Sequence, residues 1–201
     1  LEEGYTDLIY VSISSTGSAT HSNALMARDA FYAQVPGAEK LRIHVVDSKN
    51  YTGVYGYPVM QAAMKLKKGA TVDELLNYLT EWFQSAEVLF TPLTLKYAKR
   101  SGRISAAAAF AGELLGLKPL IRITDGVSKV ETKIRGDKNI VPTMSKYIQQ
   151  RMIPKTPYSL IAGCDDTFAE ELKKELVKKL GYPPEHLFHI GATVSCNAGP
   201  D

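Results

Sequence analysis

Two β-rich apolar runs, DLIYVSIS at 7–14 and LRIHVVDS at 41–48, each lead into a stretch whose apolar residues recur at helical spacing. The first stretch is GSATHSNALMARDAFYAQV (17–35), with Ala24, Ala27, Phe31 and Val35 on its expected inner face. The second, YGYPVMQAAMKLKKG (55–69), closes on Gly69 with Lys65, Lys67 and Lys68 in its last turn, where cations suit the negative end of a helix. A third helix, TVDELLNYLTEWFQSA (71–86), opens on a Thr71-x-x-Glu74 capping box. Strand, helix, strand, helix leaves few folds open. Parallel strands need a long crossover, and a helix supplies one, so this half reads as an α/β layer with a parallel, Rossmann-like sheet.

The pattern then changes. AEVLFTP (86–92) reads as a strand, and LTLKYAKRSGRISAAAAFAGELLG (93–116) as a helical stretch interrupted near Ser101-Gly102. KPLIRITDGVSKVETKIRG (118–136) reads as two strands joined at Asp125-Gly126, a strong hairpin signal. NIVPTMSKYIQQRM is a helix with Pro142 near its start. YSLIAGCDD, TFAEELKKELVKKLG and HLFHIGATVSC follow as strand, amphipathic helix and strand. Hairpins among helices predict a mixed or antiparallel α+β domain. The boundary is expected near residues 80–86, giving an N-terminal domain over 1–83 and a C-terminal domain over 84–201. LEEGY resembles the last turn of a helix with Gly4 as its C-cap, and SCNAGPD stops just after a strand-like run. Both suggest a chain shortened at its two ends.

Several function classes are disfavoured. Net charge is only +3 and the basic residues are mixed with acids, which argues against a nucleic-acid partner. No apolar run approaches the roughly 18 residues of a membrane span, and no signal peptide is visible. Cys164 and Cys196 show neither metal spacing nor a disulfide framework, which points to a reducing, cytoplasmic compartment. Both thiols are expected to act as small buried apolar groups. His186 and His189 lack a third metal ligand, and His44, inside a strand, is expected to be a satisfied core residue. No phosphate-binding P-loop, dinucleotide fingerprint or nucleophile elbow occurs, so no cofactor is implied.

What stands out is SISSTGSATH at 12–21, directly after the first strand. Ligands of open α/β sheets bind at the carboxyl ends of strands. A helix N-terminus there offers free N–H groups and a partial positive charge. Ser14, Ser15, Ser18 and Thr20 add hydroxyl donors, and Gly17 lets the backbone approach closely. Such a loop suits a carboxylate or phosphate. A plain helix cap would need one hydroxyl, not four. His21 is expected to face outward. Two further clusters are basic: Lys99, Arg100 and Arg103 around Ser101-Gly102, followed by the small-residue run Ala106–Ala109; and Lys133, Arg135 and Lys138 at a strand end. Solvated lysines and tight helix packing would account for either.

Taken together, ISSTGSAT (13–20), VVDSKNYTGVYG (45–56), LKYAKRSGRISAAAAFAGELLGLKPLI (95–121), KIRGDK (133–138) and IGATVSCNAGP (190–200) resemble the DegV family of bacterial fatty-acid-binding proteins. The resemblance implies a two-domain protein with a long-chain fatty acid in an interdomain tunnel, its carboxylate held by hydroxyls near the strand–helix loop. It implies no catalysis by the chain itself: a separate fatty acid kinase would phosphorylate the acid, feeding phospholipid synthesis. The implied ligand-binding residues are Ser14, Ser15, Gly17, Ser18, Thr20, Arg103 and Asn197, with Ser15 first for the head group. Arg135 matches a family arginine tied to docking or to the acyl-phosphate step. Asn197 stands where the family pattern has a histidine, so the ionisable group of that position is absent. The family's upstream Ser/Thr clamp would precede residue 1. The competing reading is an enzyme, a phosphotransferase or esterase, using Ser15 or Ser18; it requires a base that the sequence does not offer.

Overall fold

The computed structural model describes residues 1–102 and 116–200. They divide into two compact units, one of residues 1–86 with Thr124–Val127 and the other of the remaining described residues.

In the first unit, strands β1 (Asp7–Ser12) and β2 (Arg42–Asp47) pair in parallel, from Asp7 opposite Arg42 to Ser12 opposite Asp47. Helix α1 (Thr20–Gln34) makes the crossover between them. The Tyr32 hydroxyl ties it to the sheet, donating to the Leu41 carbonyl at 2.9 Å and accepting from the Ile43 N–H at 2.8 Å. Its half-buried stripe is His21, Ala24, Leu25, Arg28 and Phe31, while Ala27 and Val35, expected inside, are exposed. Helices α2 (Gly53–Lys67) and α3 (Val72–Ser85) follow. The capping box forms as the sequence predicts, with the Thr71 hydroxyl accepting from Glu74 N–H and the Glu74 carboxylate accepting from Thr71 N–H. Leu75, Leu79 and Phe83, four residues apart, bury one face of α3 with Ala62 of α2, and Ile9, Val11 and Val46 of the sheet pack on them.

A charge cluster closes the amino end of this sheet. Asp7 accepts from Arg42 at 2.8 Å and meets His44 Nε2 at 3.0 Å. His44 is therefore satisfied, as expected, but half-buried at the sheet edge and not in the core. The bond from Arg42, then that from His44, holds the Asp7 carboxyl at about 2, against 3.8 ordinarily. A depressed carboxyl stabilises the fold above its unfolded value and loses that contribution as pH falls through its folded value. Thermal melts of the wild type should therefore steepen their decline between pH 3.8 and about 2, and Asp7→Asn should flatten that segment. Identical slopes for the two proteins would refute the assignment.

In the second unit, β3 (Val88–Phe90), β4 (Leu117–Thr124) and β5 (Val127–Arg135) lie in the order β3-β4-β5, with β3 antiparallel to β4. Asp125 and Gly126, both at positive φ (51° and 77°), make the two-residue turn between β4 and β5. Leu120 and Ile121 of β4 are both fully buried, on opposite faces. Helix α4 (Lys96–Ser101) stops at Gly102, which adopts a left-handed conformation at φ 67°. Helix α5 (Ile140–Arg151), strand β6 (Ser159–Ala162), helix α6 (Thr167–Leu180) and strand β7 (His186–His189) complete a second α/β layer, with β6 and β7 parallel. The final apolar run does not stay extended: it breaks at Gly191, and Ala192–Ala198 form helix α7. Both cysteines are exposed, contrary to expectation, because Cys164 lies in the loop after β6 and Cys196 on α7. Among the described residues no helix is long and apolar enough to cross a membrane.

Candidate functional site

The hydroxyl loop begins two residues earlier than its sequence suggests, since β1 ends at Ser12 and α1 starts at Thr20. Ser14 is fully buried and acts as the pivot. Its carbonyl accepts from the N–H groups of Gly17 (3.1 Å) and Ser18 (3.2 Å), and its hydroxyl meets that of Thr16 at 2.9 Å. Ser15 is exposed, and its N–H donates to Asp47 at 3.1 Å. Ser18 and Thr20 share a hydroxyl–hydroxyl bond of 2.7 Å at the mouth of α1. That helix's N-cap residue, Ala19, gives no side-chain cap, the Ser18 hydroxyl accepts from the Thr20 N–H at 3.2 Å, and no acidic residue stands in the first turn. Its positive end is thus not neutralised by the helix's own side chains.

The loop leans on the segment after β2, to which sequence reasoning assigned no site residue. Ser14 N–H donates to the Asn50 carbonyl at 3.0 Å, and Ser48 N–H to the Ser12 carbonyl at 3.2 Å. A Cβ on Gly17 would stand 2.3 Å from the Tyr51 hydroxyl oxygen, so the glycine is required by this close approach. Lys49 and Thr52 hold positive φ (52° and 56°), a conformation that non-glycine residues adopt at a cost. The signal was present in VVDSKNYTGVYG: a polar cluster ends the second parallel strand, as one ends the first.

Burial pushes the Asp47 carboxyl up, but hydrogen bonds from Ser15 and Lys49, with His21 nearby, outweigh it and hold the group below its usual range. His21 does not face outward. Its Nδ1 lies 3.1 Å from the Ser12 hydroxyl, which is buried and also donates to the Val46 carbonyl. This serine–histidine contact cannot meet a substrate, because Ser12 is only 1% exposed. Nor does Asp47 suit the part of base to Ser15, since a depressed carboxyl is a weak base.

The Asp125–Gly126 turn belongs to the same unit and completes the corner. Thr16 donates to the Gly126 carbonyl at 2.7 Å, and Lys49 pairs with Asp125 at 2.6 Å. A recess of about 460 Å³ between α2 and α3, lined by Lys65, Lys68, Tyr78 and neighbours, shares no residue with this corner.

The remaining candidates lie in the second unit. Asn197, on α7, donates from its side-chain amide to the Thr193 carbonyl at 2.7 Å, and its backbone carbonyl accepts from the Ser101 hydroxyl at 3.1 Å. The Ser101-Gly102 motif and the closing motif therefore meet, as helices α4 and α7 pack together. Lys133 and Arg135 are exposed on one face of β5 while Ile134 between them is buried, and Lys138 is exposed just beyond. Arg103 and the run Ala106–Ala109 lie outside the described residues. Among the described residues no cluster of metal-ligating side chains occurs.

The family model described as "Uncharacterised protein, DegV family" matches residues 1–201. A DegV domain-containing protein of Clostridium acetobutylicum is 30% identical over 201 residues, covering 96% of this chain and 67% of that relative. Among solved structures, one described as fatty acid binding of a DegV family protein from Thermus thermophilus is similar at TM-score 0.81 and 26% identity, over 99% of this chain and 69% of that one. A stearic-acid-binding protein from Eubacterium ventriosum shares the fold at TM-score 0.85 and 24% identity, again over 99% and 69%.

Proposed function

The chain belongs to the DegV family, and from that premise we propose that it binds a long-chain fatty acid whose acid end sits at the Ser18–Thr20 corner. The observation that carries this reading is the mouth of α1: two hydroxyls, a helix N-terminus with no acidic residue in its first turn, and a position beyond the carboxyl ends of two parallel strands. The fatty-acid binding described for the Thermus relative supports the choice of ligand. Ser14, Ser15 and Gly17 shape the corner; Arg103 and Asn197 remain ligand-binding candidates on the family resemblance alone. The chain performs no chemistry in this reading. It acts in the cytoplasm and presents the acid to a separate kinase, with Arg135 on the docking edge.

Magnitudes divide the labour. Each buried CH₂ is worth about 0.8 kcal/mol, so a tail of about sixteen carbons offers on the order of 10 kcal/mol before ordering costs. One hydrogen bond to the head group adds about 0.5–1.5 kcal/mol when the head is neutral and about 1.5–3 kcal/mol when it is charged. The tail supplies affinity and the hydroxyls set direction. Ser18→Ala in delipidated full-length protein should weaken stearic acid binding by about tenfold or more, measured by calorimetry. Recovery of no lipid from well-folded protein by mass spectrometry, together with no titratable binding, would overturn the reading.

A further inference from the structure

Asn50 is fully buried and its amide orientation is set: Nδ2 donates to the Ser48 carbonyl at 2.9 Å, so Oδ1 must face the other way. That oxygen has no hydrogen-bond partner, and neither does the buried Thr52 hydroxyl. A buried amide oxygen without a donor costs about 1–3 kcal/mol, and it can only accept. Both groups lie in the positive-φ segment that leans on the hydroxyl loop, with Tyr51 between them over Gly17.

We infer that Asn50, Tyr51 and Thr52 form a second wall of the head-group site, and that this wall selects an end group able to donate a hydrogen bond. The inference rests on the fatty-acid reading above. Ser18 and Thr20 offer hydroxyls on one side, where an acceptor such as a carbonyl oxygen suits. Asn50 offers only an acceptor on the other, which a carboxylate cannot satisfy. The protonated carboxyl of a fatty acid and the hydroxyl of a fatty alcohol both donate and accept. The charges around the wall leave room for a neutral group. Asp47 stays ionised, and a second carboxylate beside it is disfavoured. Lys49 is paired with Asp125, and the His21 ring is engaged by Ser12. The positive end of α1 is the opposing influence, and a carbonyl oxygen satisfies it.

The test uses delipidated full-length protein and three probes of equal tail length: stearic acid, 1-octadecanol and methyl stearate, which accepts but cannot donate. The alcohol should bind within about tenfold of the acid, and the ester at least about tenfold more weakly than the alcohol. Asn50→Leu, which keeps the side-chain shape but removes the acceptor, should bring alcohol and ester together; Thr52→Val should narrow the gap. Acid affinity should fall from pH 6 to pH 9 while alcohol affinity holds, because only the protonated acid donates; an acid affinity that stays flat over that range means that the carboxylate binds, and overturns this inference. Ester binding as tight as alcohol in the wild type overturns this inference and leaves fatty-acid binding intact. Failure of acid and alcohol alike overturns both. The wild-type comparison needs no variant to fold.

Discussion

Shortening the ligand from stearic to decanoic acid is expected to weaken binding by about four orders of magnitude. Eight methylenes at about 0.8 kcal/mol each amount to about 6 kcal/mol, and about 1.4 kcal/mol is a factor of ten. Part of that is returned, because a shorter tail has fewer rotors to order. No single head-group substitution approaches this size, since one hydrogen bond to a charged group contributes about 1.5–3 kcal/mol. A titration series from ten to eighteen carbons checks it. A slope below about twofold per methylene would show that the tail is not buried, and the site would then belong to a small polar anion. A slope near threefold per methylene, with Ser18→Ala shifting every member equally, is the expected pattern.

Phe83→Ala is expected to lower the stability of the first unit by about 3–5 kcal/mol. Phe83 is 4% exposed and packs with Leu75, Leu79 and Ala62 beneath Ile9, Val11 and Val46. Deleting the ring removes its transfer energy and leaves a cavity that the α3 backbone cannot collapse. Against a typical total of about 5–15 kcal/mol, that is a large fraction. Urea unfolding of the full chain measures it, and a loss under about 1 kcal/mol would mean that α3 packs by another face. The effect reaches the proposed head-group corner: Ile9 and Val11 belong to the strand whose end carries the hydroxyl loop, so on this reading stearic acid affinity should fall with stability.

Local chemistry was readable from the chain. The capping box at Thr71 and Glu74, the turn at Asp125-Gly126 and the stop at Gly102 each rest on residues within four positions of one another. So did the alternation of strand and helix, because periods of 2 and 3.6 differ plainly. Long-range contacts were not readable. His21 turns inward because the α1 stripe runs through Ala24, Leu25 and Phe31 rather than through Ala27 and Val35. Ala27 looks no different in sequence from Ala24, and only the position of the sheet decides between them. Asn50 and Tyr51 acquire their place from contacts to Ser14 and Gly17, far away along the chain. The last run, HLFHIGATVSC, has apolar content enough for a strand throughout; Gly191 ends it, and a helix takes over at Ala192.

The tip of the β4–β5 hairpin carries a practical consequence for anyone dissecting the protein. Cutting the gene after Ala86 would yield a fragment stripped of Thr124–Val127. Thr16 would lose its acceptor at Gly126 and Lys49 its counter-ion at Asp125. The amino-terminal portion is thus not a module that can be transplanted by one incision, and a chimera would need that four-residue peptide supplied from elsewhere, correctly folded back.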